Sequence, residues 1–303
     1  MKPPLQPTQD ILEAYRYHLQ EVKGLSPKTC ANHGRDVSEF LKAAPLREPA
    51  QLDKLTPLDL TNYLTDKSAD YRPASLRQMA CSLRQFLRFA QQQGWIGHSL
   101  SCAVPKIACR THNLPTYLSE EQLKLLLSSW DTSTPQGQRD LGIGLCLTGL
   151  GLRAGEVAQL CLEDLDWRQG ILRLRRSKNG QPAQLPLLAD IGEAIANYLR
   201  TGRPPCSYRQ VFLFHQRVHP MNGPAISYVI KRALHACGLE VPHPGAHLLR
   251  HTLATHLVQS GASLKEVADL LRHRHLNSAA VYAHFDMAHL RSVAQPWPTE
   301  ATL

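Results

Sequence analysis

A histidine–arginine cluster in the last quarter of the chain has the residue types that bind a phosphate. His247, Arg250 and His251 lie three and four positions apart in HLLRHTLATHL, and such positions share one face of a helix. A guanidinium beside a neutral imidazole at the start of a helix suits a phosphate oxygen better than a core. The buried stripe of this helix is predicted from leucines that repeat every four residues: Leu249, Leu253 and Leu257.

Two simpler interpretations compete with phosphate binding. Polar residues three apart on a helix are most often a solvated face. Histidines at i and i+4 also resemble the zinc-protease pattern, but Leu248 stands where that pattern needs a catalytic glutamate. The sequence therefore predicts no metal site here, and other residues must decide between a solvated face and a phosphate site.

Those residues lie upstream and downstream of the cluster. TGLGLRAGEVAQL offers Arg153 with Glu156 three residues later, and Lys178 stands in SKNG between two strand-like runs. His273 and Tyr282 follow the cluster. The order Arg, Lys, His-x-x-Arg, His, Tyr resembles the tyrosine recombinase (phage integrase) family over nearly the whole chain.

These residue types could cleave a phosphodiester without a metal. Arg153 and Arg250 would each present a fork of donors to the non-bridging oxygens. Tyr282 is the predicted nucleophile, and a phenol with an ordinary pKa near 10 needs a base or cationic surroundings to attack at neutral pH. His247 is predicted to take that proton, and His273 to donate a hydrogen bond to a phosphate oxygen.

The remaining roles are a general acid and a support. Lys178, on a turn, is predicted to protonate the departing 5′ oxygen, and Glu156 to orient the site. The resemblance implies a 3′-phosphotyrosyl link, a free 5′-hydroxyl that attacks the partner strand, and a Holliday junction. It also implies that no cofactor is needed, since the covalent link conserves the bond energy.

Composition agrees with a polyanionic partner. The 303 residues hold 34 Lys and Arg against 25 Asp and Glu, a formal charge of +9. The eight cysteines form no C-x-x-C pair and are predicted to be buried, reduced thiols. No signal peptide or membrane-spanning run is present, so a cytoplasmic protein without membrane contact is expected.

Helix signals fill the first hundred residues. Ser26 and Thr56 each precede a proline, which predicts an N-cap with proline at the first helical position. Helices are predicted from Ile11 to Val22, from Pro27, from Pro57 to Leu64 and over 73–93. This four-helix unit resembles the family's core-binding (SAM-like) domain. Its predicted DNA-facing residues are Lys28, Arg35, Arg77, Arg84 and Arg88.

The rest of the chain is predicted to be mostly helical with one small antiparallel sheet. Ser119 opens a capping box before an apolar run, and 138–149 reads as a central helix. Strands are predicted at 170–175 and 182–187, and further helices at 190–200, 224–237, 246–260, 263–271 and 277–283. The predicted domains are a core-binding domain (1–100), a linker (101–116), a catalytic domain (117–295) and a tail (296–303).

The predicted function is site-specific DNA recombination, for integration or excision of a mobile element. Its partners would be double-stranded DNA with inverted-repeat core sites and a homo-tetramer on two sites, or a hetero-assembly with a related recombinase. A chromosome-dimer resolvase and a non-cleaving DNA-binding regulator remain alternatives. One departure from the family is Leu271-Arg272-His273 in place of the frequent Leu-Gly-His. The loss of glycine is expected to alter the turn before His273.

Overall fold

A computed structural model describes residues 7–44, 48–108, 115–175, 182–272 and 279–285. The chain divides into two compact units, Met1–His112 and Asn113–Leu303. Lys178, His273 and the tail after residue 285 lie outside the described residues.

The described part of the first unit contains four α-helices. They are α1 (Pro7–Tyr17, continued by a π-helical turn at His18–Val22), α2 (Pro27–Ala43), α3 (Pro57–Ser68) and α4 (Pro73–Gln92). A short 3₁₀ helix, Pro49–Lys54, precedes α3. Ser26 and Thr56 accept hydrogen bonds from the backbone N–H groups of Thr29 and Asp59, so both predicted N-caps are confirmed.

Aromatic rings from different helices pack in pairs within the core of the first unit. Tyr15 of α1 meets Phe86 of α4 edge-on, with ring centroids 5.3 Å apart. Phe40 of α2 meets Tyr63 of α3 in the same way at 5.1 Å. All four side chains are buried, which ties the helices to one another through rings worth about 0.5–1.5 kcal/mol per pair beyond their burial.

The second unit is mostly helical, as predicted. Its described α-helices are α5 (Glu120–Ser128), α6 (Pro135–Gly149), α7 (Ala154–Gln159), α8 (Ala189–Asn197), α9 (Gly223–Ala236), α10 (Ala246–Gln259) and α11 (Leu264–Leu270). A π-helical turn, Tyr198–Gly202, extends α8, and a 3₁₀ helix spans Ala280–Phe285. Ser119 caps α5 in the predicted capping box with Gln122.

A three-stranded antiparallel sheet completes this unit. Its strands, in order, are β1 (Leu165–Asp166), β2 (Ile171–Leu174) and β3 (Ala183–Pro186). The predicted hairpin is confirmed by the β2–β3 pairing. Strand β1 was not predicted, because two residues are too few to show an alternating pattern. The turn that joins β2 to β3 lies outside the described residues.

Helix α6 lies at the centre of the second unit, as its apolar sequence predicts. Its residues Ile143 and Leu147 are fully buried, and the helix packs against both α8 and α10. Helix α7 packs against α9. This arrangement brings the start of α7 and the first turns of α10, which carry the predicted arginines, to the same core.

The predicted stripe on α10 is only partly right. Leu249 is fully buried, but Leu253 and Leu257 are half-buried and pack on a separate small cluster that contains Tyr282. The fully enclosed positions of α10 include three polar side chains: Arg250, Thr252 and Thr255. The reason is that α10 is covered on several sides, so its burial does not follow a single stripe.

Burial of the cysteines differs from the prediction. Among the described cysteines only Cys30 and Cys146 are buried, and exposed ones are Cys81, Cys102 and Cys206. These exposed cysteines lie on a helix surface and in connecting segments, and the apolar residues near them in sequence did not indicate that they face solvent. Within the described ranges, no helix has both the length and the apolar character needed to cross a membrane.

Candidate active site

Four of the predicted site residues come together in the second unit. Arg153 lies at the start of α7 with Glu156 one turn later, Arg250 lies on α10, and Tyr282 lies in the 3₁₀ helix Ala280–Phe285. Arg250 lies close enough to the other three residues for their charges to shift its pKa. The site therefore draws on segments more than 120 residues apart in sequence.

Glu156 holds Arg153 through both its backbone and its side chain. One carboxylate oxygen of Glu156 accepts from the backbone N–H of Arg153 at 2.9 Å, and the other accepts from Nη1 at 2.7 Å. Burial favours a raised pKa for Glu156, but the Arg153 amide hydrogen bond and the guanidiniums of Arg272 and Arg153 outweigh it, and the pKa is lowered. The carboxylate is thus ionised, and it fixes the direction of the Arg153 guanidinium.

Arg250 is buried, with 2 % of its surface exposed. Its two terminal nitrogens donate to the backbone carbonyls of Gly151 and Leu271. Burial, with repulsion from Arg153 and Arg272, lowers the pKa of Arg250 to about 10. A guanidinium carries five N–H donors, so these carbonyl contacts orient Arg250 and still leave donors for an anion.

Gly151 makes this contact possible. Its φ of +56° lies in the left-handed region, and a Cβ there would come within 2.7 Å of Leu271 Cδ2 and 3.0 Å of Leu253 Cδ2. A side chain at this position is therefore excluded both by the backbone and by space. The glycine brings its carbonyl oxygen against Arg250 and connects α6 to the Arg153 turn.

Tyr282 is buried and hydrogen-bonded to a histidine of α10. Its hydroxyl lies 2.8 Å from Nδ1 of His251, and its side chain is 2 % exposed. Burial raises the pKa of Tyr282 to about 12, against a lowering by the nearby Arg250. A phenol with so high a pKa is protonated at neutral pH, so it would need a proton acceptor to act as a nucleophile, and His251 Nδ1 lies within hydrogen-bond distance of it.

His247, the base predicted from the sequence, lies beside His251 on the same face of α10. It is exposed, and its ring lies 4.2 Å from the ring of His251, centroid to centroid. The described contact with the Tyr282 hydroxyl belongs to His251, which the sequence places in the histidine–arginine cluster but to which it assigns no step of the reaction. The i, i+4 spacing placed both imidazoles on one face, but no sequence pattern shows which of them meets a residue 31 positions further on.

Arg272, which stands where the sequence predicts that the loss of glycine alters the turn, has a left-handed backbone conformation. Its φ of +53° is left-handed, and its backbone N–H donates to the carbonyl of Asp269 at 2.9 Å. This conformation costs a non-glycine residue about 1–2 kcal/mol. A left-handed turn therefore follows α11 with arginine at this position, and His273 itself lies outside the described residues.

The predicted DNA-facing residues of the first unit lie in different surroundings. Lys28, Arg77 and Arg88 are exposed. Arg35 is also exposed and pairs with Asp36 at 3.1 Å. Arg84 is half-buried, and its Nη2 donates to the carbonyls of Val104 and Pro105 at 3.2 and 2.6 Å. Arg84 thus binds the segment that follows the helices, a contact that the charge stripe did not reveal.

The base of the β2–β3 hairpin is fixed by a charged contact. Arg175, just after β2, donates from Nε to Asp164 at 2.5 Å. Asp164 also accepts from the backbone N–H of Cys161 at 2.9 Å. These contacts anchor the described end of the strand that leads toward Lys178.

Comparison with known proteins finds relatives of both parts of the chain. Residues 116–289 match the phage integrase family, and residues 12–94 match the phage integrase N-terminal SAM-like domain. The chain is 37 % identical to a putative integrase/recombinase, y4rA, of Sinorhizobium fredii, over 96 % of the chain and 71 % of that protein. It is 28 % identical to the tyrosine recombinase XerC of Pelobacter propionicus, over 95 % of each chain.

A solved structure shows the same fold. The XerH site-specific recombinase, bound to palindromic difH substrate in a post-cleavage complex, superimposes with a TM-score of 0.75 and 19 % identity, over 96 % of this chain and 97 % of that one. The family and sequence matches, together with the shared fold, define the class of the protein as a site-specific tyrosine recombinase. The chain belongs to the phage integrase family.

Proposed function

We propose that this recombinase breaks and rejoins DNA through a 3′-phosphotyrosyl intermediate on Tyr282, in the service of a mobile element. The observation that supports the chemistry most strongly is the contact between the Tyr282 hydroxyl and His251 Nδ1 beside the buried guanidinium of Arg250. A tyrosine, a proton acceptor and a cation within one site are what a nucleophilic attack on a phosphodiester needs.

In the first step the Tyr282 oxygen attacks phosphorus. A bond from the phenol oxygen to phosphorus forms, the bond from phosphorus to the 5′ oxygen breaks, and the phenol proton passes to the imidazole of His251. When Nδ1 of His251 is unprotonated, the tyrosine hydroxyl donates to it across the observed 2.8 Å, and this is the geometry a general base requires. His247, the base predicted from sequence, then lies one ring further from the proton.

Arginine side chains stabilise the extra charge on the phosphorane. Arg153 is held by Glu156 and Arg250 by two backbone carbonyls, so both are oriented before DNA arrives. Such preorganised donors stabilise charge without reorganisation during the reaction. Lys178 is proposed to protonate the 5′ oxygen and His273 to bind a phosphate oxygen, and both assignments rest on sequence order.

The second step reverses the first on a different strand. A free 5′-hydroxyl attacks the phosphotyrosine, expels the phenol and restores a phosphodiester, so no external energy source is consumed. Complete exchange between two duplexes cuts four strands, and each chain supplies one Tyr282. We therefore propose four protomers on two DNA sites with inverted-repeat core sequences, with a related recombinase as an alternative source of two of them.

The proposal is tested with a suicide substrate. Duplexes recovered from a randomised library by binding to the purified protein would be rebuilt with a nick beside each candidate scissile phosphate. The expected result is a protein–DNA band on a denaturing gel with the wild-type chain and none with Tyr282→Phe. Salt-sensitive binding of the same duplexes without any band would overturn the cleavage proposal and favour a non-cleaving regulator.

The proposed role in a mobile element is supported by sequence similarity to other recombinases. Identity is higher to a putative integrase/recombinase, at 37 %, than to XerC, at 28 %. The discriminating experiment supplies this protein alone with two plasmids that each carry the selected site. Cointegrate formation supports a self-sufficient mobile-element enzyme, whereas recombination only after a second recombinase is added supports the dimer-resolution alternative.

A further inference from the structure

Arg272 departs from the family pattern, and its backbone conformation and its contacts are both unusual for an arginine. It occupies a left-handed position that favours glycine. Its side chain does not extend into solvent, since only 11 % of it is exposed. An arginine that takes an unfavourable backbone conformation and also buries its charge requires contacts that offset both costs.

Those contacts lead directly to the site. Nη2 of Arg272 donates to Glu156 at 2.9 Å and to the carbonyl of Gly151 at 3.4 Å. Nη1 donates to the carbonyl of Leu270 at 3.1 Å. Glu156 therefore accepts from Arg272 on one oxygen and from Arg153 Nη1 on the other. Arg153 in turn reaches the backbone carbonyl of Arg272 at 3.4 Å.

These hydrogen bonds form one connected network that includes the guanidiniums of Arg153 and Arg250. Arg250 donates to the carbonyls of Gly151 and Leu271, so it shares the first acceptor with Arg272 and binds the residue before it. Movement of Arg272 would thus disturb Glu156, which binds Arg153, and also the two carbonyls, of Gly151 and Leu271, that accept from Arg250. One carboxylate, Glu156, can neutralise only one of these three positive charges. The excess positive charge suits a site that receives a phosphodiester.

We propose that Arg272 is a positioning residue of the cleavage site, which acts by holding Glu156 and, through it, the Arg153 guanidinium. Its buried Nε has no hydrogen-bond partner among the described residues, so the guanidinium is held by its two terminal nitrogens alone. Glycine at this position would restore the relaxed backbone but would leave Glu156 to Arg153. The inference rests on the proposed cleavage function of the same site.

The test compares Arg272→Gly and Arg272→Lys with the wild-type chain on the nicked substrate. Arg209→Ala is the matched control, because Arg209 pairs with Glu163 on the surface of the same unit. We expect Arg272→Gly to lower the single-turnover rate of covalent complex formation at least about tenfold, with the DNA dissociation constant changed less than about threefold. Arg272→Lys should recover part of the rate, and Arg209→Ala should react as the wild type does.

A double-mutant cycle with Glu156→Gln shows whether Arg272 acts through the carboxylate. If it does, adding Arg272→Gly to Glu156→Gln lowers the rate little further. The positioning role would be overturned if the rate losses of the two single variants multiplied in the double variant. It would also be overturned if Arg272→Gly left the rate unchanged, whether or not DNA affinity fell. Absence of any adduct with the wild-type chain would instead overturn the proposed function, so the two failures are distinguishable.

Discussion

Replacement of His251 by alanine tests the contact on which the proposed chemistry depends. The variant removes the imidazole whose Nδ1 lies 2.8 Å from the Tyr282 hydroxyl. The His256→Ala variant is the matched control, since His256 lies on the same helix and its Nε2 contacts the Leu118 carbonyl instead of Tyr282. A second comparison, His247→Ala, tests the base that the sequence alone predicts.

The size of the effect follows from the raised pKa of Tyr282. With a pKa of about 12, the phenolate fraction at pH 7 is roughly 10⁻⁵. Direct attack by the free phenolate is therefore slow, and a positioned general base contributes about 10²–10⁴ in rate. We expect His251→Ala to lose a factor in this range and His256→Ala to stay within about twofold of the wild type.

The pH dependence distinguishes a lost base from a disturbed fold. Without the imidazole, the rate should rise about tenfold per pH unit between pH 7 and 9, because the phenolate fraction rises in that proportion below the pKa of about 12. The wild-type rate should rise less steeply. Single-turnover adduct formation on the nicked duplex measures both. A wild-type rate in His251→Ala, or the loss confined to His247→Ala, would refute the assignment.

Two further predictions concern the residues that support the site. Gly151→Ala should lower the free energy of unfolding in urea by about 1–3 kcal/mol, because its left-handed φ and the Leu271 side chain leave no room for a methyl group; an unchanged transition would contradict the observed close approach. Glu156→Gln should lower the free energy of unfolding by on the order of 3 kcal/mol at pH 7, because it removes the charge that pairs with buried guanidiniums. The pKa of Glu156 is lowered in the folded chain, so this difference should be full at neutral pH and shrink as the pH falls below about 4.5 and through the folded-state pKa; a difference that grows in acid would contradict it.

Local features of the fold were predictable because their causes are local. Ser26, Thr56 and Ser119 identify three helix starts, since a hydroxyl that caps a helix bonds to an N–H only three residues away. The β2–β3 hairpin followed from alternation on either side of a short turn. Strand β1 escaped prediction because its two residues have no periodicity of their own.

The arrangement within the site was less predictable because its contacts join distant segments. Arg153 and Glu156 lie one helical turn apart, and their pairing follows from spacing. The Glu156–Arg272 and His251–Tyr282 contacts span 116 and 31 residues, and no local pattern encodes them. Likewise, the charge stripe on α4 predicts a DNA-facing Arg84, but no local pattern predicts its hydrogen bonds to the carbonyls of Val104 and Pro105.

The central claim is that Tyr282 forms the covalent bond to DNA. The most direct measurement digests the wild-type adduct with nuclease and protease and locates the residual nucleotide by mass spectrometry. We predict a nucleotide attached through its 3′ phosphate to the peptide that contains Tyr282. A nucleotide on any other tyrosine peptide, or one attached through a 5′ phosphate, would contradict the claim.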